Sequence, residues 1–291
     1  MSATRVTGSA LDVAALVERA CVLEATAPKP GNVSPGRPFE DLRYEDFVAS
    51  AHAIRPVFEN AGARPIGQTV RLAVEATLGH APSNTNLGIV LLLAPLARAA
   101  EKWGRGSIPD LQSATREVLA ETTVDDARQV YAAIRLASPG GLGRVDSQDV
   151  ASDPTMTLLE VMRLAAHYDS VASEYATAFN LTFSAGAPAL SRARRDGLNW
   201  DDAIVETFLT LLARAADTHI VRRAGIAAGD DVSQRARDVL DKGGVRSLKG
   251  RRAMDDMDRS LRDARHTLNP GTTADLTTAA IFVELVCERS A

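Results

Sequence analysis

The stretch from Asn86 to Lys102, NLGIVLLLAPLARAAEK, is the segment that says most about the fold. Its apolar side chains occur at nearly every position instead of along one face, which is typical of a helix buried on all sides. The most apolar part, Leu87 to Ala97, is too short to cross a bilayer, which takes about 20 residues, and it contains Pro95. The stretch therefore predicts a central helix of a helical core.

Helical patterns of apolar residues surround this segment on both sides. Aromatic residues make up 4% of the chain, and alternating β-branched residues are scarce, so strands are disfavoured. No linker, internal repeat or low-complexity tract interrupts the pattern. The sequence predicts an all-α protein, a single domain over residues 1–291 with about a dozen helices. The predicted helices cover residues 10–26, 42–60, 66–79, 86–102, 108–121, 124–136, 155–182, 186–195, 200–221, 233–241, 246–266 and 273–288.

Charge and cysteine content limit the classes of partner. The 291-residue chain carries 33 basic and 37 acidic side chains, a net charge of −4, whereas a general nucleic-acid binder usually has a basic excess. The first eleven residues lack the basic start and apolar run of a signal peptide. Two cysteines, Cys21 and Cys287, fit reduced thiols of the cytosol. We expect a cytoplasmic protein with no nucleic-acid or membrane partner, and the apolar helices are compatible with a homodimer.

Four loops are rich in glycine, proline, asparagine and threonine, at residues 27–36, 81–88, 138–143 and 268–273. Backbone N–H groups before a helix, with small side chains around them, suit a phosphate group. Ordinary turns have the same composition, so the loops alone do not decide between the two interpretations. Walker, Rossmann, CxxC, HExxH and GxSxG motifs do not occur, which excludes the common nucleotide folds and leaves a hydrolytic triad unsupported.

Lys29 is the most informative polar residue of these loops. Pro28 and Pro30 restrict the backbone on both sides of it, and Gly31 permits a sharp turn. A lysine held in this way suits a polyphosphate, and Glu24, at the end of the preceding helix, suits a metal ion or the lysine itself. The alternative is a turn that ends the helix and leaves the lysine in solvent.

Several carboxylates lie close to predicted helix ends. Asp41 and Asp275 stand at helix starts, and Asp217 lies near the end of a helix beside His219. Carboxylates beside phosphate-binding loops commonly hold Mg²⁺ under a nucleotide, although a helix cap or a solvated side chain is the alternative for each. The mixed-charge helix around residues 255–258 is interpreted as a solvated, salt-bridged face.

The run Lys29-Pro30-Gly31-Asn32-Val33, preceded by Glu24, resembles the E-x-x-x-x-PKPG-[LN]-V signature of triphosphoribosyl-dephospho-CoA synthases. Further segments resemble motifs of the same family in the same order and cover almost the whole chain from residue 24 to about 285. They are residues 41–51 (aspartate–methionine and F-x-x-S), 83–88 (N-T-H-K-G), 217–225 (D-T-x-(x)-x-R-x-G) and 269–276 (P-G-G-x-A-D-L).

This resemblance implies an all-α transferase that joins ATP to 3′-dephospho-CoA with Mg²⁺ as cofactor. A ribose hydroxyl of dephospho-CoA attacks C1 of the ATP ribose, adenine leaves, and the product is a prosthetic-group precursor. The implied phosphate ligands are Lys29 and the N–H groups near Gly31 and Asn32. Glu24, Asp41 and Asp275 are implied to bind Mg²⁺ or to act catalytically, with Asp217 as a further metal ligand. The further residues implied to contact ribose or phosphate are Asn84, Asn86, Arg222 and Arg223.

The chain departs from the family pattern in the segment 84–88, which reads N-T-N-L-G where better-known members have N-T-H-K-G. It therefore resembles a divergent branch, similar to archaeal and methylotroph members. Two alternatives stay open at this point. One is a related transfer to another acceptor, such as a methanopterin-type cofactor precursor, and the other is a non-catalytic helical ligand-binding scaffold.

Overall fold

The computed structural model describes residues 11–80, 86–103, 107–139, 143, 145, 147–263 and 265–287. Within these ranges the chain forms 14 α-helices and no strand, which confirms the predicted all-α class. The helices are α1 (Val13–Thr26), α2 (Tyr44–Phe58), α3 (Ile66–Thr77), α4 (Leu87–Trp103), α5 (Ile108–Ala120), α6 (Val124–Ala137), α7 (Leu158–Ala165), α8 (Ser170–Ala176), α9 (Ala187–Arg195), α10 (Trp200–Arg214), α11 (Thr218–Ala224), α12 (Ile226–Asp241), α13 (Leu248–Leu261) and α14 (Gly271–Cys287).

Helix α4 lies at the centre, as its all-round apolar sequence predicts. It packs against α1, α3, α5 and α14, and twelve of its residues are buried, from Leu87 to Ala100. Helix α14 is buried over nearly its whole length as well, and it contacts α1, α4 and α10. The core is built around α4 and α14, which pack against each other, and their N-terminal ends lie side by side. No helix among the described residues is long and apolar enough to span a membrane.

Two long helices predicted from the sequence are each interrupted. Residues 155–182 form α7 and α8, because the side chain of Asp169 accepts a hydrogen bond from Ala172 N at 3.0 Å and starts a new helix. Left-handed backbone at Ala178 and Phe179 then ends α8, and a π-helical turn over Thr182–Gly186 leads into α9. The prediction of one continuous helix here was wrong.

The predicted helix over residues 200–221 is also divided. Asn199 caps the start of this helix, with Asp202 N donating to Asn199 Oδ1 at 2.9 Å. Helix α10 then ends at Arg214, and Asp217 caps the separate helix α11. Asp41 does not begin a helix, since α2 starts at Tyr44. Helix α14 begins at Gly271, so Thr272 and Thr273 lie within its first turn and do not cap it.

Candidate active site

The candidate site lies where the C-terminal end of α1 meets the N-terminal ends of α4 and α14. Glu24 is in the last turn of α1, and Asp275 follows the first turn of α14. Gly88, the second residue of α4, faces Asp275 so closely that a Cβ at residue 88 would lie 2.0 Å from Asp275 Oδ2. Helices α1, α4 and α14, which are far apart in the sequence, thus meet at their ends in the region of Glu24 and Asp275.

Glu24 and Lys29 form a buried ion pair, with Nζ 3.0 Å from Oε1 and exposed fractions of 4% and 1% for the two residues. Lys29 Nζ also donates to the carbonyl oxygens of Glu24 and, at 3.1 Å, of Ala27. The three N–H donors of the ammonium are therefore all used inside the chain. The lysine is not solvated, and the possibility that Glu24 serves the lysine is confirmed. A phosphate-binding role of Lys29 stays a prediction, and as placed its ammonium is not offered to a ligand.

Asp275 is the carboxylate whose surroundings perturb it most. Removal from solvent raises the pKa of Asp275 well above its usual range, and the like charges of Glu24 and Asp217 raise it further. Arg222 acts in the opposite direction, and it is itself paired with Asp169 at 2.7 Å. A carboxylate that binds a proton this readily is suited to proton transfer, and one beside a second carboxylate is suited to a cation.

Asp217 holds two helix ends together. Its Oδ1 accepts hydrogen bonds from the N–H groups of His219 (2.8 Å) and Ile220 (3.1 Å) at the start of α11. Its Oδ2 accepts from Thr273 N (2.6 Å) and Thr273 Oγ1 (2.7 Å) in α14. With four donors around a buried carboxylate, Asp217 acts as a double cap that positions the first turn of α14, and thereby Asp275.

The loop after α1 forms the outer wall of the site. Gly31 has a φ of 75°, and a Cβ there would lie 2.9 Å from Leu261 Cδ1, so only glycine fits against α13. Gly31 N donates to Asp258 Oδ1 at 2.8 Å, and Arg262 Nη2 donates to the carbonyl oxygen of Asn32 at 2.6 Å. Asp258 is buried, so the prediction that residues 255–258 are a wholly solvated face was wrong for this residue.

Asn86 borders a small cavity beside Glu24. Thr77 Oγ1 donates to Asn86 Oδ1 at 3.4 Å, and Cys21 and Ser50 also line this cavity. Burial raises the pKa of the Cys21 thiol, which therefore stays protonated. Asn84 lies outside the described residues.

Two predicted site residues lie away from the Glu24–Asp275 pair. The side chain of Asp41 is 63% exposed, and its Oδ1 is 3.5 Å from His266 Nε2. Arg223 is exposed and donates to the carbonyl oxygen of Arg265 at 2.8 Å. Their roles at the site stay predictions.

A metal site built from protein ligands alone is not seen in the described part of the chain. No three His, Cys, Asp or Glu side chains converge there closely enough to hold an ion. Of the four predicted ligands, Glu24, Asp217 and Asp275 lie near one another and Asp41 does not.

Sequence reasoning did not identify four residues that the site uses, namely Gly88, Asp169, Asp258 and Thr273. Asp169 directly precedes a serine and a short apolar run, so a cap signal was present. The other three act through contacts with distant segments, for which a single sequence has no local signal.

The fold and the site together define an all-α protein with a buried acidic centre between helix ends. A family model described as ATP:dephospho-CoA triphosphoribosyl transferase matches residues 10–291. The chain belongs to this family, as the motif resemblance predicted.

Individual relatives agree with the family match. A Stutzerimonas stutzeri protein named "Probable 2-(5''-triphosphoribosyl)-3'-dephosphocoenzyme-A synthase" is 27% identical over 291 residues, covering 94% of this chain and 89% of that protein. A Pseudomonas fluorescens protein of the same name is 36% identical over 110 residues, and this match spans 37% of the chain and only 36% of the relative's length. An Archaeoglobus fulgidus protein whose structure is titled "Crystal structure of putative triphosphoribosyl-dephospho-coA synthase from Archaeoglobus fulgidus" is 28% identical, with a TM-score of 0.66 over 84% of this chain and 98% of that one.

Proposed function

We propose that the protein transfers the triphosphoribosyl group of ATP to 3′-dephospho-CoA, forming 2-(5''-triphosphoribosyl)-3'-dephospho-CoA and releasing adenine. The family match over residues 10–291 supports this activity. The structural observation that carries it is the close packing of the Asp275 carboxylate against Gly88, where the charges of Glu24 and Asp217 raise its pKa. Substitution at C1 of a ribose builds positive charge on the sugar, and carboxylates placed in advance stabilise that charge.

The chemistry assigns different tasks to the two carboxylates. A hydroxyl oxygen of the acceptor ribose loses its proton and forms a bond to C1, and the bond from C1 to adenine breaks with its electron pair leaving on adenine, which takes up a proton from solvent. We assign Asp275 to accept the hydroxyl proton, because its raised pKa brings its proton affinity closer to that of a general base working at neutral pH. Glu24, which Lys29 holds in position, faces the developing charge on the ribose.

A magnesium ion fits the same pair of side chains. Mg²⁺ is usually bound through one or two carboxylates together with substrate phosphates, and so does not require three protein ligands. A divalent cation bound by both carboxylates would lower the pKa of Asp275 again, so Asp275 acts as the base only when the ion is held by Glu24 and the substrate phosphates. Bound there, the ion would neutralise part of the triphosphate charge.

The other predicted contacts complete this assignment. Asn86, at the cavity beside Glu24, is assigned with Asn84 to orient ribose or phosphate, and Arg222 is assigned to the wall around Asp275. Since ATP and dephospho-CoA are cytoplasmic metabolites, we expect the protein to work in the cytoplasm. A homodimer stays a prediction.

The direct test is incubation of the purified protein with ATP, Mg²⁺ and 3′-dephospho-CoA, with free adenine followed by chromatography. We expect adenine release that requires all three components and that is lost in Asp275→Asn. Asp230→Asn, an exposed carboxylate on α12, is the matched control and should behave as wild type. Adenine release that does not depend on dephospho-CoA, or no release at all, would contradict the proposal.

A further inference from the structure

An open concavity of about 560 Å³ lies between the loop at residues 36–38 and helix α13, next to the outer wall of the site. Its charged lining comes from Arg37, Arg259, Arg262, Asp255 and Asp258. Positions 255, 258 and 259 follow the i, i+3, i+4 spacing of one face of α13, and Arg262 directly follows the end of this helix. The volume is in the range of about 300–1,000 Å³ that small-molecule sites occupy.

Two of the three arginines of this concavity, Arg37 and Arg262, are held in defined positions. Arg37 Nη1 and Arg262 Nε both donate to Asp258 Oδ2, at 3.3 and 3.0 Å, and the Asp258 side chain is only 10% exposed. The Arg262 guanidinium also lies over the Phe39 ring, 5.6 Å from its centroid. Restrained guanidinium groups lose less conformational entropy when they bind an anion than free ones do. These contacts do not use Arg262 Nη1 or Arg37 Nε.

The balance of charge in the concavity is positive. Three arginines line it against two aspartates, in a chain whose net charge is −4. The buried carboxylate of Asp258 already accepts from Arg37, Arg262 and the Gly31 N–H group, so it repels an incoming anion less than a free carboxylate would. Arg259 is exposed and forms an ion pair with Asp256, and Arg37 Nη2 lies 3.7 Å from Asp255 Oδ1, so a bound anion would compete with two exposed carboxylates.

The reaction needs such a cationic surface outside the acidic centre. Both substrates carry phosphate chains, whereas Lys29 uses its three donors within the chain and Glu24, Asp217 and Asp275 are acids. Arg262 and Asp258 bond directly to Asn32 and Gly31 of the loop that carries Lys29. A phosphate chain in the concavity would therefore lie beside the same loop that borders the Glu24–Asp275 pair.

We infer that the Arg37–Arg259–Arg262 concavity binds the phosphate chain of a nucleotide substrate. The inference rests on the proposed function. Two sources share this chemistry, the triphosphate of ATP and the diphosphate of dephospho-CoA, and the experiment separates them. Arginine is suited to either, because its guanidinium group offers paired N–H donors to phosphate oxygens.

The test compares wild type with Arg37→Gln, Arg259→Gln and the double variant, and Arg128→Gln serves as control. Arg128 is an exposed arginine of α6 paired with Asp125 three residues earlier, as Arg259 is with Asp256, but it is not part of the concavity. The KM of each substrate is measured with the other saturating. Calorimetry measures the Kd of ATP, of dephospho-CoA and of inorganic pyrophosphate, and melting curves check the fold.

We expect the double variant to raise the KM and Kd of one nucleotide by about tenfold or more, the effect of losing charged hydrogen bonds, while Arg128→Gln changes neither. A selective effect on ATP places the triphosphate here, and a selective effect on dephospho-CoA places the acceptor here. Unchanged KM and Kd for both nucleotides would overturn the inference and leave a solvated salt-bridged surface. The Kd measurements keep their meaning even if wild type releases no adenine, so failure of the inference and failure of the proposed function are distinguishable.

Discussion

The carboxylate of Asp275 occupies the space that any side chain at position 88 would need. A Cβ built on Gly88 would lie 2.0 Å from Oδ2 and 2.5 Å from Cγ of Asp275, distances that real side chains do not reach. Gly88 belongs to the first turn of the central helix α4. The absence of a side chain at residue 88 of α4 therefore leaves room for the carboxylate that α14 carries.

Gly88→Ala tests this contact. The added methyl group must displace the Asp275 carboxylate, so we expect kcat/KM for adenine release to fall by about 100-fold, the typical cost of a misplaced catalytic group. The effect on the free energy of unfolding is measured by urea unfolding in a double-mutant cycle. In wild type the substitution should cost about 1–3 kcal/mol. In an Asp275→Ala background the clash is gone, and alanine should stabilise the helix by about 0.5–1 kcal/mol. Additive effects in the two backgrounds would contradict the contact.

The buried Glu24–Lys29 pair predicts a large loss of stability when only one partner is removed. A lysine in solvent could be replaced with little loss of stability, whereas Lys29 is buried and paired with Glu24. Lys29→Met leaves the Glu24 carboxylate buried without its cation, which costs about 3–5 kcal/mol in comparable pairs. Adding Glu24→Gln should recover most of the loss, and Lys242→Met, at an exposed lysine, should change little. Equal unfolding midpoints for Lys29→Met and wild type would refute the role of the pair.

The raised pKa of Asp275 predicts that the difference in stability between wild type and Asp275→Asn depends on pH. Its pKa in the folded protein lies well above its usual 3.8, so the folded state binds the proton more tightly than the unfolded chain does. The stabilisation from that proton is complete below the unfolded pKa and is lost as pH rises through the folded pKa. Asp275→Asn, which never ionises, should therefore melt at a higher temperature than wild type at neutral pH, by about 2–4 °C for each kcal/mol, with the gap closing near pH 4.

The same substitution should abolish adenine release, because asparagine cannot accept the proton. Thermal melts from pH 4 to 8 give the stability difference, with Asp230→Asn as the control that shows no trend with pH. A constant difference in melting temperature over this range would be incompatible with the raised pKa.

Asp217→Asn separates a capping role from metal binding. An asparagine keeps one acceptor oxygen but places an NH₂ group against donors at His219 and Ile220 or at Thr273, so we expect a loss of about 2–4 kcal/mol in urea unfolding. Asp12→Asn is the matched control, since Asp12 caps α1 through a single bond to Ala15 N and asparagine caps equally well. A stable Asp217→Asn protein that needs far more Mg²⁺ for activity would instead indicate a metal ligand.

What the sequence by itself determined is local. The all-round apolar run at residues 86–102 is the central helix α4, and Asn199 caps α10, because periodicity and capping act between residues less than about two turns apart. The E-x-x-x-x-PKPG-type run and the later motifs also placed the chain in its family. Even so, the local pattern missed breaks at Asp169 and Asp217, where a side-chain cap interrupts an otherwise continuous apolar periodicity.

Only the tertiary structure decided which groups meet. The structure buries Lys29 against Glu24 and lets Asp217 cap both α11 and α14. It also packs Asp275 against Gly88, which lies 187 positions away in the sequence. Asp41, which looks equivalent in the sequence, faces solvent instead. The physical reason is that the charge, exposure and proton affinity of a carboxylate depend on all the helices packed around it, and that packing is set by the whole core.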